Sequence, residues 1–276
     1  METVYSGYKE LMLEDNEIAE IYEGKNNYNI LINQYIILKN SKNEVIDKLR
    51  WTGECFKHIS FIKSKERPKD FKPKTIKQEF LCDLLATSDI PIKIIGGCAG
   101  SGKTFICLKY AFHYLYKDIF DSIFVVRHNV SVGEKNGLLP GDKIAKIMGW
   151  MGFFEDNLNG EKYTIEGMIS KGKLILDSVE YMKGRDIKKS FILIDEAEDL
   201  TVEQFKMIGE RVSADSVICF VGDYDQVTND KFKSNSGLKR AISTLQNNSK
   251  VGIIVFDDIQ NDNVRSDTSK IFSYIY

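Results

Sequence analysis

Apolar runs of strand length alternate with amphipathic stretches of helical length over most of the chain. The strand-like runs are almost continuously apolar and comprise Ile92–Gly96, Ser122–Arg127, Ser190–Asp195, Val217–Gly222 and Val251–Phe256. Helical periodicity follows most of them, over Thr104–Tyr116, Val202–Arg211 and Gly237–Leu245. Strands that are apolar on both sides and separated by helices are typical of a parallel sheet covered on both faces. The pattern predicts an α/β fold, with Lys173–Leu176 as a further strand or a hairpin.

The first 70 residues follow a different pattern. Their predicted elements are a short helix near Leu11–Tyr22 and two β-rich runs joined by a hairpin-like loop, Asn29–Leu38 and Glu44–Trp51. The segment Arg67–Lys74 then holds two of the four prolines among charged residues, as extended connectors do. We therefore predict a small β-rich accessory module with a basic linker over residues 1–70, and a second domain over residues 71–276.

Composition narrows the class of protein. The 276 residues are 43% hydrophobic and 28% charged, which is ordinary for a globular protein. No apolar stretch approaches the roughly 18 residues that span a bilayer, and the first residues lack the pattern of a signal peptide. Five cysteines without a C-x-x-C pair and three distant histidines argue against a disulfide framework and a zinc site. These features predict a cytoplasmic protein with reduced thiols and no membrane partner.

Charge is unevenly distributed, although the net charge is only −2. Residues 1–30 hold seven acidic residues against two lysines, whereas residues 39–77 hold twelve basic residues against five acids. Such a basic stretch is typical of a segment that follows a phosphate backbone, and equally of a solvated surface or linker. Both interpretations stay open at this point.

A phosphate-binding motif follows the first of the predicted parallel strands. Residues 97–104 read Gly-Cys-Ala-Gly-Ser-Gly-Lys-Thr, a P-loop between a strand and a helix. Its glycines let backbone N–H groups surround phosphate oxygens at the positive end of a helix. Lys103 is expected to reach the β- and γ-phosphates, and Thr104 to ligate Mg²⁺. The residues predicted to contact ATP here are Gly97, Cys98, Ala99, Gly100, Ser101, Gly102, Lys103, Thr104 and Phe105.

Acidic residues end another predicted strand. The run Phe191–Ile194 leads into Asp195 and Glu196, and the carboxyl ends of parallel strands are where open α/β sheets bind ligands. Asp195 fits the Walker B role of holding Mg²⁺, and Glu196 is placed to orient the attacking water. The alternative is an acidic helix N-cap, because acids favour helix starts.

Three more residues are candidates for contact with the transferring phosphate. Gln226 follows the strand Val217–Val221 and a Gly-Asp pair, so it can sense the γ-phosphate or belong to a plain turn. Arg185 and Arg265 are candidates for stabilising phosphate charge. Each of the two arginines has an ordinary surface residue as its alternative.

Together these elements resemble the PhoH-like family, ATPases related to the first motor domain of superfamily 1 helicases. The resemblance covers about Lys74 to Arg265. Besides the P-loop it is carried by Thr75-Ile76-Lys77-Gln78, Val126-Arg127, Gly133-Glu134-Lys135, Leu139-Pro140-Gly141-Asp142, Met182-Lys183-Gly184-Arg185, Asp195-Glu196-Ala197, Gly222-Asp223 with Gln226, Ser236-Gly237-Leu238 and Val264-Arg265. Residues 28–60 also resemble the segment before this ATPase in members fused to a PIN nuclease, and no PIN nuclease is expected here.

The resemblance implies a RecA-like P-loop NTPase fold that uses ATP and Mg²⁺. It further implies that Gln78 reads adenine, Glu196 activates water, Gln226 senses the γ-phosphate and Arg265 stabilises the transferring charge. The chain departs from the family pattern at His128, Lys183 and Glu198, in place of proline, arginine and glutamine. In related helicases that glutamine helps to couple ATP state to the nucleic-acid site, so the departure concerns coupling rather than ATP binding.

Three functions are compatible with these features. The first is an ATPase linked to RNA or single-stranded nucleic acid, with helicase-like or remodelling activity. One motor core cannot form both walls of a translocating cleft, so this hypothesis predicts a homo-oligomer, a ring or possibly a hexamer, with Arg265 or Arg185 acting on a neighbour's ATP. The second is an ATP-gated scaffold with little turnover. The third, a P-loop kinase, is disfavoured because a carboxylate beside the Walker B aspartate suits attack by water.

Overall fold

The computed structural model describes residues 5–59, 71–127, 165–223 and 235–264. The first of these ranges forms a four-stranded sheet in the order β1-β2-β3-β4, in which β1 and β2 are parallel and the other pairs antiparallel. Its elements are β1 (Tyr8–Met12), α1 (Asp15–Tyr22), β2 (Tyr35–Lys39), β3 (Val45–Trp51) and β4 (Phe56–His58). The predicted hairpin between β2 and β3 is confirmed, since Asn40 donates its N–H to the carbonyl of Glu44.

The rest of the described chain builds a six-stranded sheet in the order β10-β5-β9-β8-β6-β7, and every pair in it is parallel. The strands are β5 (Ile92–Gly97), β6 (Ser122–Arg127), β7 (Leu174–Ser178), β8 (Ser190–Asp195), β9 (Val217–Val221) and β10 (Val251–Phe256). The helices are α2 (Ile76–Ala86), α3 (Lys103–Tyr116), α4 (Ile165–Ser170), α5 (Val202–Gly209), α6 (Gly237–Leu245) and the short α7 (Ile259–Asp262). The predicted parallel α/β fold is confirmed, and β7 is a strand of that sheet.

Helices cover both faces of the parallel sheet, as the apolar strands require. On one face α2 and α3 pack on the sheet through a core that includes Phe80, Ile106 and Ile95. On the other face Phe205 of α5 stacks on Phe220 of β9, with ring centroids 3.8 Å apart. Neighbouring residues of one strand therefore enter different cores, because successive side chains point to opposite faces.

The two sheets meet at the outer edge of β10. The carbonyl of Ser6 accepts a hydrogen bond from the N–H of Val255, and the carbonyl of Gly7 accepts one from Tyr35 in β2. Gly7 has φ +83°, and a Cβ at this position would lie 1.9 Å from the carbonyl oxygen of Ile253. Only glycine fits this close approach. Residues 6 and 7 can therefore cover the outer edge of β10, which would otherwise be open to solvent.

A buried polar network joins the first sheet to α2. The Arg50 guanidinium donates to the carboxylate of Asp83 at 2.9 Å and to the side chain of Thr87 at 3.2 Å. Tyr35 donates to the same Asp83 carboxylate at 2.8 Å, and its ring stacks on Phe80. These residues of β2, β3 and α2 thus share one core.

Two predictions for the N-terminal segment were wrong in their limits. The predicted helix from Leu11 begins only at Asp15, because residues 8–12 form the edge strand β1. The predicted strand from Asn29 begins only at Tyr35, since Asn29 and Asn33 both have positive φ. Asn33 is fixed there by long-range bonds from its side chain to the carbonyls of Asn248, Ser249 and Val251. Neither feature is visible in a local pattern.

Within the ranges that the structure describes, no helix has both the length and the apolar character that crossing a bilayer requires.

Candidate nucleotide-binding site

The P-loop runs from the end of β5 to the start of α3. Gly97, Gly100 and Gly102 have φ values of +109°, +80° and +84°, in the region that favours glycine. A Cβ on Gly97 would lie 2.1 Å from the carbonyl oxygen of Phe256, so glycine is required where β5 passes β10. The loop delivers the chain to a helix whose first N–H groups have no acceptor within the helix. Such an end binds anions, and phosphate above all.

Lys103 is buried inside this loop. Its ammonium donates to the carbonyls of Gly97 and Cys98, both at 2.6 Å, and to the hydroxyl of Ser101 at 3.2 Å. Burial lowers the pKa of Lys103, and nearby acids, first among them Asp223, oppose that shift. The Lys103 ammonium already lies inside the loop, held by backbone carbonyls, so it needs little rearrangement to contact a phosphate bound there.

The first turn of α2 braces the P-loop from outside. Gln78 donates from Nε2 to the carbonyl of Ser101 at 2.8 Å, and its Oε1 accepts from the N–H of Lys74 at 2.7 Å. The Thr75 side chain caps the helix by accepting from the N–H of Gln78. The amide of Gln78 thus holds the loop backbone in this structure, and its reading of adenine stays a prediction.

Two more contacts fix the surroundings of the loop. The N–H of Val264 donates to the carbonyl of Gly100 at 3.1 Å, which brings the chain just before Arg265 onto the P-loop. On α3 the ring of Phe105 packs against Phe71, with centroids 5.8 Å apart. Arg265 and Gln226 lie outside the described residues, so their predicted roles stay predictions.

The acidic pair at the end of β8 meets the P-loop. The hydroxyl of Thr104 donates to Oδ1 of Asp195 at 2.9 Å. A hydroxyl and a carboxylate side by side are oxygen ligands of the kind that Mg²⁺ prefers. The residues predicted as metal ligands are therefore adjacent and chemically suited to Mg²⁺, and their binding of it stays a prediction.

Glu196 occupies a strained position beside Asp195. Its backbone has φ +56° and ψ +43°, a left-handed conformation that residues other than glycine rarely adopt. Where such residues do occur, they cluster at functional sites. Burial raises the pKa of Glu196, while the charge of Arg127 lowers it. The left-handed turn stops β8 abruptly and leaves this carboxylate partly exposed. A partly exposed carboxylate at a strand end is suited to contact a water molecule.

Arg127 is a site residue to which the sequence pattern assigned no role. It ends β6 and pairs in register with Asp195. Its Nε donates to Oδ2 of Asp195 at 2.9 Å, its Nη2 reaches the same oxygen, and its Nη1 lies 3.4 Å from Oε1 of Glu196. The sequence does show that Arg127 ends an apolar strand, as Asp195 does. It does not show that these two strands are neighbours in the sheet, and only the strand order brings Arg127 beside Asp195.

Glu198 forms a third acidic contact of the site. Its Oε2 accepts from the N–H of Asp223 at 3.0 Å, where β9 ends. A Cβ on Gly222 would lie 2.3 Å from that same oxygen, so the glycine makes room for the carboxylate. Burial raises the pKa of Glu198 to about 7. The residue thus links the Walker B end of β8 to the chain that leads towards Gln226.

Arg185 does not join this group. Its Nη2 lies 2.7 Å from Oδ2 of Asp177 in β7, and its guanidinium lies over the ring of Phe124. In the strand order β7 is four places from β5, so about 19 Å of sheet separates its chain from the P-loop strand. The structure therefore places Arg185 away from the phosphate site of its own chain.

Comparison of the sequence with protein-family models and with curated proteins points to the same family. The family model described as "PhoH-like protein" matches residues 70–276. Protein PhoH2 of Bacillus subtilis (strain 168) is 31% identical over 267 residues, which cover 88% of this chain and 59% of that protein. A PhoH-like protein of Mycobacterium tuberculosis (strain ATCC 25618 / H37Rv) is 32% identical over 182 residues, which cover 65% of this chain and 51% of that protein. The chain thus spans between half and three-fifths of the length of these two curated relatives.

Among solved structures, the Hef helicase domain of Pyrococcus furiosus is similar at a TM-score of 0.38 and 12% identity, over 65% of this chain and 38% of that chain. A likeness at this level adds nothing to the fold assignment, which rests on the strand order and the P-loop.

Proposed function

The chain belongs to the PhoH-like protein family, and from this premise we propose that it is a Mg²⁺-dependent ATP hydrolase coupled to RNA or single-stranded nucleic acid. The observation that carries the proposal is the hydrogen bond of 2.9 Å between Thr104 of the P-loop and Asp195 of the acidic pair. It joins the element that binds phosphate to the element that supplies carboxylates. We assign the activity to residues 71–276 and an accessory role to residues 1–70.

Phosphate binding falls to the P-loop and the start of α3. Backbone N–H groups of the glycine-rich turn would bind the β- and γ-phosphate oxygens, and the helix dipole adds partial positive charge. Lys103 would exchange its two carbonyl partners for phosphate oxygens, which carry full negative charge. Gln78 keeps the loop in shape through Ser101 and is assigned to the adenine side.

Thr104 and Asp195 would hold Mg²⁺ through their hydroxyl and carboxylate oxygens. When bound, the ion neutralises charge on the phosphates and polarises the bond that breaks. Glu196 would accept a hydrogen bond from the attacking water and orient it. Gln226 and Arg265 are assigned to sensing the γ-phosphate and to stabilising its charge.

A homo-oligomer is part of the proposal, because one motor core cannot form both walls of a translocating cleft. Arg265, or Arg185 at the edge of the sheet, is assigned to the ATP of a neighbouring copy. We assign the protein to the cytoplasm, in keeping with free cysteines at positions 55, 82, 98, 107 and 219.

A scaffold that binds ATP with little turnover is the second candidate function. The observation that favours it is Glu198, which stands where the family has glutamine and is fastened to the N–H of Asp223. A fixed carboxyl there would weaken communication between the acidic pair and the chain beyond β9.

An ATPase assay on the purified protein tests the proposal, with and without RNA, single-stranded DNA and duplex DNA. We expect release of phosphate that one single-stranded polymer stimulates and that Lys103→Ala abolishes. Lys250→Ala, an exposed lysine, is the matched control and should hydrolyse ATP at the wild-type rate. Tight ATP binding without turnover under all conditions would favour the scaffold. Phosphate transfer only to an added acceptor would identify a kinase instead.

A further inference from the structure

We propose that Arg127 is a positioning residue for the acidic pair, the counter-ion that orients both Asp195 and Glu196 from the neighbouring strand. The inference rests on the proposed ATP hydrolysis and deepens it. Three contacts carry it, two from the guanidinium to Asp195 and one at 3.4 Å to Glu196. The residue comes from β6, so it is fixed by a strand that neither acid belongs to.

The oxygens of Asp195 divide their contacts. Oδ1 accepts from the hydroxyl of Thr104 at 2.9 Å, whereas Oδ2 accepts from Arg127. A carboxylate held at both oxygens cannot rotate about its last torsion without losing one partner. Arg127 therefore fixes the orientation of the carboxylate plane and leaves the other oxygen, Oδ1, to face the P-loop.

Glu196 depends on Arg127 more than Asp195 does. Asp195 has Thr104 as a second partner, and its side chain is 9% exposed. The Glu196 side chain is 46% exposed, and Arg127 is the cation that faces it among the described residues. The backbone of Glu196 is left-handed directly after β8, and its carboxylate lies within 3.4 Å of the Arg127 guanidinium. One planar fork thus holds two carboxylates that would otherwise repel each other.

The chemistry of the side chain fits this task. A guanidinium presents its N–H donors in a plane and can bind two carboxylates at once, whereas an ammonium is a single point of charge. Arg127 is also a fixed positive charge beside the oxygens that would meet Mg²⁺. It must therefore reduce the negative potential at the metal site while it improves the geometry there. Loss of Arg127 should change these two properties in opposite directions.

Arg127→Met tests this, because methionine keeps an apolar stem and removes the guanidinium. Two quantities are measured: kcat for ATP at saturating Mg²⁺, and the Mg²⁺ concentration that gives half-maximal binding of a fluorescent ATP analogue. We expect kcat to fall by about 10²-fold, because Glu196 loses its orientation. We expect the half-saturating Mg²⁺ concentration to fall about threefold or more, because a positive charge has left the site. General damage to the fold would instead weaken metal binding together with turnover.

Three further variants sharpen the test. Arg127→Lys restores the charge without the fork, so its Mg²⁺ requirement should return to wild type while kcat stays low. In a Glu196→Gln background, Arg127→Met should lower kcat by less than it does in the wild type, since the part of its effect that acts through Glu196 is already lost. Arg240→Met, an exposed arginine on α6, should leave both measured quantities unchanged.

Several results would overturn the inference. These are a kcat of Arg127→Met close to wild type, a higher Mg²⁺ requirement, or fully additive losses with Glu196→Gln. If the wild type binds the analogue but does not hydrolyse ATP, the proposed function fails, and the Mg²⁺ requirement of Arg127→Met still decides the role of Arg127. A wild type that does not bind the analogue overturns both.

Discussion

The hydroxyl of Thr104 donates a hydrogen bond to Oδ1 of Asp195, although 91 residues separate the two in the chain. Thr104 is in the first turn of α3 and Asp195 is the last residue of β8. The parallel order of β5, β9 and β8 brings the carboxyl ends of these strands to one edge of the sheet. A nucleotide site at this edge is what strand order in open α/β folds leads one to expect.

Removing the hydroxyl of Thr104 should impair metal-dependent nucleotide binding. In Thr104→Val, Asp195 loses one of its two partners and the proposed Mg²⁺ site loses a ligand, so the Mg²⁺ concentration for half-maximal binding of an ATP analogue should rise about tenfold or more. Thr104→Ser keeps the hydroxyl and should stay close to wild type. Fluorescence titration at several Mg²⁺ concentrations measures the effect, and equal behaviour of the two variants would contradict the assignment.

Gly97→Ala should both destabilise the protein and abolish nucleotide binding. The added Cβ would lie 2.1 Å from the Phe256 carbonyl oxygen, and φ is +109°. We expect a loss of about 3 kcal/mol or more in the free energy of unfolding, from overpacking and backbone strain together. Urea denaturation gives the value.

Gly172→Ala is the matched control for that variant. Gly172 also has positive φ, +67°, but a Cβ there meets nothing within 4 Å. Its cost should be about 1 kcal/mol, the conformational part alone. Equal losses in the two variants would show that contact with Phe256 does not matter.

Lys77→Met should destabilise the chain next to the P-loop. The Lys77 ammonium donates to Asp262 at 2.7 Å and to Asp257, and the Asp262 side chain is 3% exposed. Burial alone would lower the pKa of Lys77, but hydrogen bonds to Asp257 and Asp262 raise it above its ordinary value. Removing one partner of a buried pair leaves a charge unpaired, so we expect a loss of about 3 kcal/mol.

Urea denaturation of Lys77→Met should be compared with that of Lys250→Met, in which methionine replaces an exposed lysine. Adding Asp262→Asn to Lys77→Met should recover part of the lost stability, because the unpaired charge is then removed as well. No recovery in the double variant would mean that the ion pair is not the cause.

Glu198 should make stability depend on pH. Burial raises the pKa of its carboxyl from 4.5 to about 7, so between these values the folded chain binds more protons than the unfolded one. Stability therefore falls as pH rises from 4.5 through 7, by up to about 3 kcal/mol. Glu198→Gln keeps an oxygen for the N–H of Asp223 and cannot ionise. Its free energy of unfolding should therefore increase relative to that of the wild type as the pH rises.

Urea denaturation at pH 5 and pH 8 measures this difference between wild type and Glu198→Gln. Glu210→Gln, an exposed glutamate that follows α5, gives the reference for an ordinary carboxyl. If the stability advantage of Glu198→Gln is the same at both pH values, the carboxyl does not titrate in this range.

Local pattern predicted the parallel sheet well, because each strand such as Phe191–Ile194 is buried on both faces and so is apolar throughout. The P-loop was equally visible, since its chemistry needs consecutive residues. The limits of β1 and β2 could not be predicted from local pattern. Gly7 lies against the distant Ile253, and the Asn33 side chain donates to the carbonyl of the distant Val251. A pattern read along the chain contains no information on such pairs.

The amino-acid sequence by itself determined the α/β class, the phosphate-binding turn and the acids that end β8, because periodicity and motif spacing are properties of neighbouring residues. Tertiary structure alone decided which side chains meet. It placed Arg127 on Asp195 and Glu196, kept Arg185 on Asp177 at the far edge, and turned Gln78 onto the P-loop backbone. The reason is strand order: each strand's hydrogen-bonding neighbours are set by the packing of the whole sheet, and no local pattern states them.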